Sequence, residues 1–171
     1  LDEYGLNQRV GFEIDLIERD GRPEPYRIED LNAGVRIYIG HPDVLLRPGR
    51  YRYTIAYDTS RQLYHWADQD ELYWNVTGDA WAFPIERATA TVHLPDGAVI
   101  DAVDAYTGPR GARGDDFEVV ERRGATLRIA TTRALLPGEG LTIAAAWPAG
   151  LVARPTGAEM TGQLVLDNKG L

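Results

Sequence analysis

Apolar and polar residues alternate along much of this chain, a pattern typical of half-buried β-strands. The alternation is clearest over four segments: 10–16, 51–57, 88–94 and 141–147. A hairpin is predicted over residues 117–130, with its turn at 121–124. No segment carries a sustained apolar stripe of helical period. The pattern therefore predicts an all-β protein.

Turn signals separate these short segments at intervals of roughly 8–12 residues, as in antiparallel sandwiches. Leu45 to Gly49 and the similar Leu135 to Gly138 each place Pro before Gly, the chemistry of a tight turn. Residues 149–157 are predicted to form a loop. We therefore expect an antiparallel β-sandwich, immunoglobulin-like or related, as a single domain over residues 1–171.

The charge of the chain argues against a nucleic-acid partner. Its net charge is -8 and its isoelectric point about 4.9, whereas phosphate-backbone binding requires a clustered basic face. The cysteine count is 0, which excludes disulfides and thiolate metal sites. His41, His65 and His93 are scattered without metal-ligand spacing. We expect no metal site and no cofactor.

The hydrophobic runs are too short to cross a membrane. None approaches the length of about 18 apolar residues that a spanning helix needs. The chain begins at Leu1 rather than at a methionine. We therefore expect that flanking segments of a longer protein hold any leader or anchor.

Aromatic and acidic residues gather in the middle of the chain. The candidate ligand-binding residues there are Trp66, Asp70, Glu71, Trp74 and Trp81. In one interpretation the indoles stack on sugar rings and the carboxylates accept hydroxyl hydrogen bonds, or even hydrolyse a glycan if they lie about 5–10 Å apart. In the other, Trp74 and Trp81 anchor the core and the acids solvate a loop. Both interpretations stay open at this point.

The same central stretch resembles a known family. Tyr53-x-Ile55-x-Tyr57, the run DELYWNVTG over residues 70–78, and Trp81 are similar to the N-terminal region of bacterial predicted membrane proteins that carry the label domain of unknown function 2207. PGEGLTI over residues 137–143 extends the similarity. The resemblance covers about residues 35–150.

The resemblance implies an extracytoplasmic module, anchored by a transmembrane segment after residue 171. The family has no established activity, so no catalytic residue is implied. We expect a binding or interaction module without catalysis of its own, whose partner is a protein or an envelope glycan. The alternative function is a carbohydrate-binding or glycan-hydrolysing site at the five residues named above.

Overall fold

The computed structural model describes residues 10–31 and 34–167, which fall into two compact units. We call residues 10–31 and 34–61 the N-terminal unit and residues 62–167 the sandwich unit. Each has its own sheets and is described by itself. The expectation of one domain over residues 1–171 stays a prediction.

The N-terminal unit, where it is described, consists of five short strands in two antiparallel sheets. These are β1 (Phe12–Arg19), β2 (Arg22–Pro23), β3 (Tyr26–Leu31), β4 (Gly34–Ile39) and β5 (Tyr53–Thr59). The first sheet has the order β2-β1-β5, and β3 pairs with β4 as a hairpin. Two of the predicted alternating segments therefore correspond to β1 and β5.

A β-bulge changes the face that β1 buries. The register against β5 shifts between Ile14 and Leu16, and an extra residue of this kind interrupts strict alternation. Leu16, which simple alternation would turn inward, is 38% exposed, while Ile17 is buried at 3%. The inward position thus moves by one residue along the strand.

The sandwich unit, where it is described, contains seven strands in two antiparallel sheets. These are β6 (Leu63–His65), β7 (Gln69–Asn75), β8 (Thr89–His93), β9 (Ala102–Gly108), β10 (Phe117–Arg123), β11 (Thr126–Thr131) and β12 (Gly140–Pro148). One sheet has the order β10-β11-β8 and the other the order β6-β7-β12-β9. The hairpin predicted over residues 117–130 is β10 and β11.

The two sheets share one hydrophobic core, which makes this unit a β-sandwich. Leu127 and Ile129 of β11 belong to the same buried cluster as Leu141 and Ile143 of β12. Each of these side chains is at most 2% exposed. Burial of this kind is the main stabilising term of such a fold. The predicted fold class, an all-β antiparallel sandwich, is confirmed.

One helix, α1 (Gly157–Asp167), lies within the described residues, although no segment of the sequence carries an apolar stripe of helical period. A capping box starts it: Glu159 accepts hydrogen bonds from the Thr156 amide at 2.7 Å and hydroxyl at 2.8 Å, and the Glu159 amide donates back to Thr156 Oγ1 at 3.3 Å. Residues 157–163 are exposed. Helical periodicity could not reveal α1, because capping rather than an apolar face marks it.

Candidate functional site

Strand β7 divides the two candidate carboxylates between opposite faces of its sheet. Asp70 lies directly opposite Trp147 of β12, so the two side chains share the face that packs on the core. Both are almost fully buried, at 0% and 1% exposure. Glu71, the next residue, points to the other face and is half-buried. The two acids therefore do not line one site.

Asp70 is held by a histidine and an arginine. His65 Nδ1 lies 2.6 Å from Asp70 Oδ1. Arg154 donates to the same oxygen from Nε at 3.1 Å and from Nη2 at 2.8 Å. Arg154 Nη2 also donates to the Gln69 carbonyl at 3.1 Å. A buried carboxylate is tolerated when it is paired and hydrogen-bonded in this way.

The partners keep Asp70 ionised. Burial pushes the pKa of the Asp70 carboxyl upward, but the hydrogen bonds from His65 and Arg154 and the charge of Arg154 outweigh it, so the pKa lies below its ordinary value. An ionised carboxylate only accepts hydrogen bonds, so His65 Nδ1 carries the proton in this contact.

A buried Asp that orients an imidazole through Nδ1 also occurs in serine hydrolases. The sequence from residue 62 onward contains no serine and no cysteine. Among the described residues, no three His, Asp or Glu side chains gather as a metal site.

The contacts of Asp70 hold two distant segments together. Arg154 binds Asp70, and the Ala149 amide donates to the Asp68 carbonyl at 3.0 Å. These contacts fasten the segment before α1 to the start of β7.

Two buried polar atoms in the described part of the chain lack a hydrogen-bond partner, Asp70 Oδ2 and Trp147 Nε1. One is an acceptor and the other a donor. They belong to residues at directly opposed positions of β7 and β12, where Cβ atoms lie about 5 Å apart. We call His65, Asp70, Trp147 and Arg154 the Asp70 cluster; Asp70 and Trp147 are its buried members.

The three candidate indoles occupy different environments. Trp66 follows β6 and is 53% exposed. Trp74 is half-buried and packs against the core, as the core-anchor interpretation expected of it. Trp81 is 46% exposed, donates from Nε1 to the Thr77 carbonyl at 2.6 Å and lies 5.2 Å from the Phe83 ring.

The five candidate residues are not brought together on one surface. Trp66 precedes β7 and Trp81 follows it, and a strand of 7 residues spans about 23 Å at roughly 3.3 Å per residue. Asp70 and Trp74 share the core face, whereas Glu71 lies on the outer one. The fully buried indole is that of Trp147.

The outer face of the four-stranded sheet carries an aromatic surface that the sequence pattern did not predict. Strand pairing places five side chains on this face, which we call the tyrosine face: Tyr64, Glu71, Tyr73, Asp104 and Tyr106. Between them the central strand β12 carries only small side chains, Thr142, Ala144 and Ala146. The alternation of small and large residues in β12 is the sequence signal that could have revealed this face.

The tyrosines of this face are accessible and ordered by contacts. Tyr64 is 56% and Tyr73 46% exposed. The Tyr73 and Tyr106 rings lie 6.4 Å apart across β12. The Tyr106 hydroxyl donates to Asp104 Oδ2 at 2.6 Å, and this hydrogen bond, with burial, raises the pKa of Tyr106. The face therefore presents aromatic rings beside carboxylates.

Comparison with known proteins identifies the class of protein. Residues 2–147 match the family described as predicted membrane protein (DUF2207) N-terminal domain. The chain belongs to this family, which confirms the assignment made from the sequence. Among residues 10–31 and 34–167, no helix combines the length and hydrophobicity that crossing a membrane requires.

A curated relative is the uncharacterized protein YciQ of Escherichia coli strain K12. It is 26% identical to this chain over 154 residues, which are 89% of this chain and 24% of the relative. The chain thus spans about a quarter of that protein's length. No solved structure matches the chain.

Proposed function

We propose that this chain is an extracytoplasmic interaction module of a bacterial protein anchored in the membrane, with no catalysis of its own. The family, a family of predicted membrane proteins, supports the membrane association. The matching relative from Escherichia coli supports the bacterial setting. The anchor would follow residue 171, outside the described residues.

The tyrosine face is the observation that carries the interaction role. Tyr64 and Tyr73 expose about half of their surface on a sheet whose opposite face is core. Tyrosine is enriched at interfaces because its ring supplies contact area while its hydroxyl stays hydrogen-bonded. Glu71 and Asp104 add acceptors beside the rings. A surface of this composition suits recognition of another molecule.

The Asp70 cluster supports the absence of catalysis. Both Nδ1 of His65 and the guanidinium of Arg154 are engaged by one oxygen of Asp70. These contacts fasten the segment before α1 to β7, a structural task that accounts for the cluster without a reaction.

The extracytoplasmic location is tested by the accessibility of introduced cysteines, because the chain itself contains 0 cysteines. Ala134→Cys and Glu118→Cys, both at exposed positions, are introduced into the full-length protein freed of other cysteines. We expect a membrane-impermeant maleimide to label both in intact spheroplasts. Labelling only after the cells are lysed contradicts the extracytoplasmic location.

The interaction role is tested by a photo-crosslinking amino acid in place of Tyr73 in living cells. Val119 on β10 is the matched control, because both residues are 46% exposed but lie on different sheets. We expect a discrete adduct from Tyr73, lost when Tyr64→Ala is added, and none from Val119. Equal adducts from both positions, or none from Tyr73, overturn the proposal for this face.

A further inference from the structure

The loop between β4 and β5, residues 40–52, carries three consecutive exposed apolar residues, 44–46, which we call the apolar tip. Val44 is 57%, Leu45 95% and Leu46 40% exposed. Isolated exposed apolar residues are ordinary, but three consecutive ones at the tip of a connection form a patch that water solvates poorly. Leu45 has almost its whole side chain in solvent.

Three arginines follow this tip along the loop, in a chain that is otherwise acidic. Residues 41–52 contain Arg47, Arg50 and Arg52 against one acid, Asp43, whereas the whole chain carries a net charge of -8. All three arginines are exposed. Among the described residues none of them forms an ion pair, while Arg19, for comparison, lies 3.2 Å from Glu24. The charged residues of the loop itself are therefore mostly basic, with the Asp20 carboxylate packed at its base.

The base of the loop is held in place. The Tyr51 hydroxyl donates to the Arg47 carbonyl at 2.6 Å. The Arg52 amide donates to Asp20 Oδ1 at 2.9 Å, and the Asp20 amide donates to the Arg52 carbonyl at 2.8 Å. These bonds fix the end of the loop near β5 and so limit the entropy lost on binding.

A cleft lies at the base of this loop. Its volume is about 680 Å³, and its lining includes Arg50, Tyr51 and Arg52 together with Asp20, Gly21 and Thr54. Guanidinium groups bind phosphate through paired N–H donors. Arg50 and Arg52 thus place phosphate-binding chemistry in the same loop as the apolar tip.

We infer that this loop docks on the surface of an anionic phospholipid bilayer, with Leu45 inserted among the acyl chains and the three arginines bound to lipid phosphates. Apolar residues beside basic ones are the combination that binds anionic membrane interfaces. Tyr51 and Tyr53, which are 39% and 43% exposed, are of the residue type that favours the headgroup region.

This inference rests on the proposed function and names one partner of the module. A protein anchored in the same membrane needs only weak affinity for the bilayer, because tethering raises the effective lipid concentration. Charge favours a polyanionic surface as the occupant: Arg47, Arg50 and Arg52 match it, whereas a second copy docking through the same loop would bring its own arginines against them.

The test is co-sedimentation of the whole chain with vesicles of phosphatidylglycerol and phosphatidylcholine, compared with phosphatidylcholine alone. We expect binding only when phosphatidylglycerol is present, weakened by salt. Leu45→Ser should weaken binding about tenfold. Changing Arg47, Arg50 and Arg52 together to Gln should cost about fivefold for each arginine.

Matched controls isolate the loop. Leu136→Ser alters another exposed leucine, at 59% exposure, in the similar Leu-Pro-Gly turn before β12. Changing Arg110, Arg113 and Arg123 together to Gln gives the same net charge as the loop variant with all three arginines replaced. We expect both controls to bind like the unmodified chain. No binding to phosphatidylglycerol, or equal losses in the controls, overturns the inference.

A second readout separates the bilayer from a protein partner. A polarity-sensitive dye on Leu45→Cys should shift to the blue with phosphatidylglycerol vesicles and stay unchanged without them. If instead the chain self-associates and Leu45→Ser makes it monomeric, the loop binds a second copy and the inference is wrong. Neither result depends on spheroplast labelling or Tyr73 crosslinking, so failure of the proposed function is recognised separately.

Discussion

Arg154 donates two hydrogen bonds, at 3.1 and 2.8 Å, to one carboxylate oxygen of Asp70, a residue 84 positions earlier in the chain. Asp70 has no exposed surface, and Arg154 reaches it from the segment before α1. The contact therefore links the path of the chain after β12 to the start of β7.

Asp70→Asn should destabilise the sandwich unit. The amide keeps the shape of the side chain but removes the charge that His65 and Arg154 bind, and hydrogen bonds to charged groups are worth about 1.5–3 kcal/mol. Urea unfolding followed by tryptophan fluorescence measures this, because all four tryptophans lie after residue 61. Glu71→Gln, on the outer face, is the control and should change stability by less than about 0.5 kcal/mol. Equal effects would show that burial of Asp70 is unimportant.

The stability of the sandwich unit should fall in acid through Asp70. The pKa of Asp70 is lowered in the folded state, so its contribution is complete above the unfolded-state value of about 3.9. It is lost as the pH falls through the lower folded-state pKa, where the native carboxylate finally binds its proton. The difference in unfolding free energy between the unmodified chain and Asp70→Asn should therefore shrink as the pH falls from about 6 towards about 2. A difference that does not vary with pH would contradict this.

Two glycine-to-alanine substitutions should act in opposite directions. A Cβ on Gly140 would lie 2.5 Å from the Gly78 carbonyl oxygen, which is backbone and cannot move aside, so Gly140→Ala should destabilise the sandwich unit by about 1–3 kcal/mol. Nothing lies within 4 Å of a Cβ on Gly162 in α1. Gly162→Ala should stabilise the helix by about 0.5–1 kcal/mol. Chemical denaturation reports the first and far-ultraviolet circular dichroism the second; a loss of stability in both would refute the distinction.

Thr156→Ala should loosen α1. It removes the hydroxyl that accepts a hydrogen bond from the Glu159 amide and donates one to the Glu159 carboxylate. Loss of such a cap costs about 1 kcal/mol. Amide hydrogen exchange within α1 should become about fivefold faster. Thr161→Ala, inside the same helix, is the control; its hydroxyl donates to the Gly157 carbonyl, and alanine should slow exchange because of its higher helix propensity.

Strands whose alternation is local could be predicted from the sequence. Val92 of β8 packs against the core, and Leu141 and Ile143 of β12 are buried, as the period of two required. The hairpin of β10 and β11 could be predicted from its turn residues, because they too are a local property of the sequence. The bulge in β1 could not be predicted, since a shift of register depends on the partner strand β5.

The candidate site was less accessible to prediction. The sequence placed Asp70 and Glu71 side by side, but strand geometry sends their side chains to opposite faces, and only pairing with β12 decides which one is buried. Trp147, the fully buried indole, was predicted as a strand residue but not as the neighbour of Asp70. The tyrosine face joins residues of three strands, and its existence depends on their order in the sheet.

What the amino-acid sequence determined by itself was the class of structure and the family, because alternation, turn residues and the run over residues 70–78 are local properties. Tertiary structure alone decided that Asp70 is buried against Arg154, that Leu45 is exposed, and that Tyr73 and Tyr106 share a surface. Burial and contact between distant residues are set by how strands pair and pack, and that arrangement is a property of the whole fold rather than of any segment.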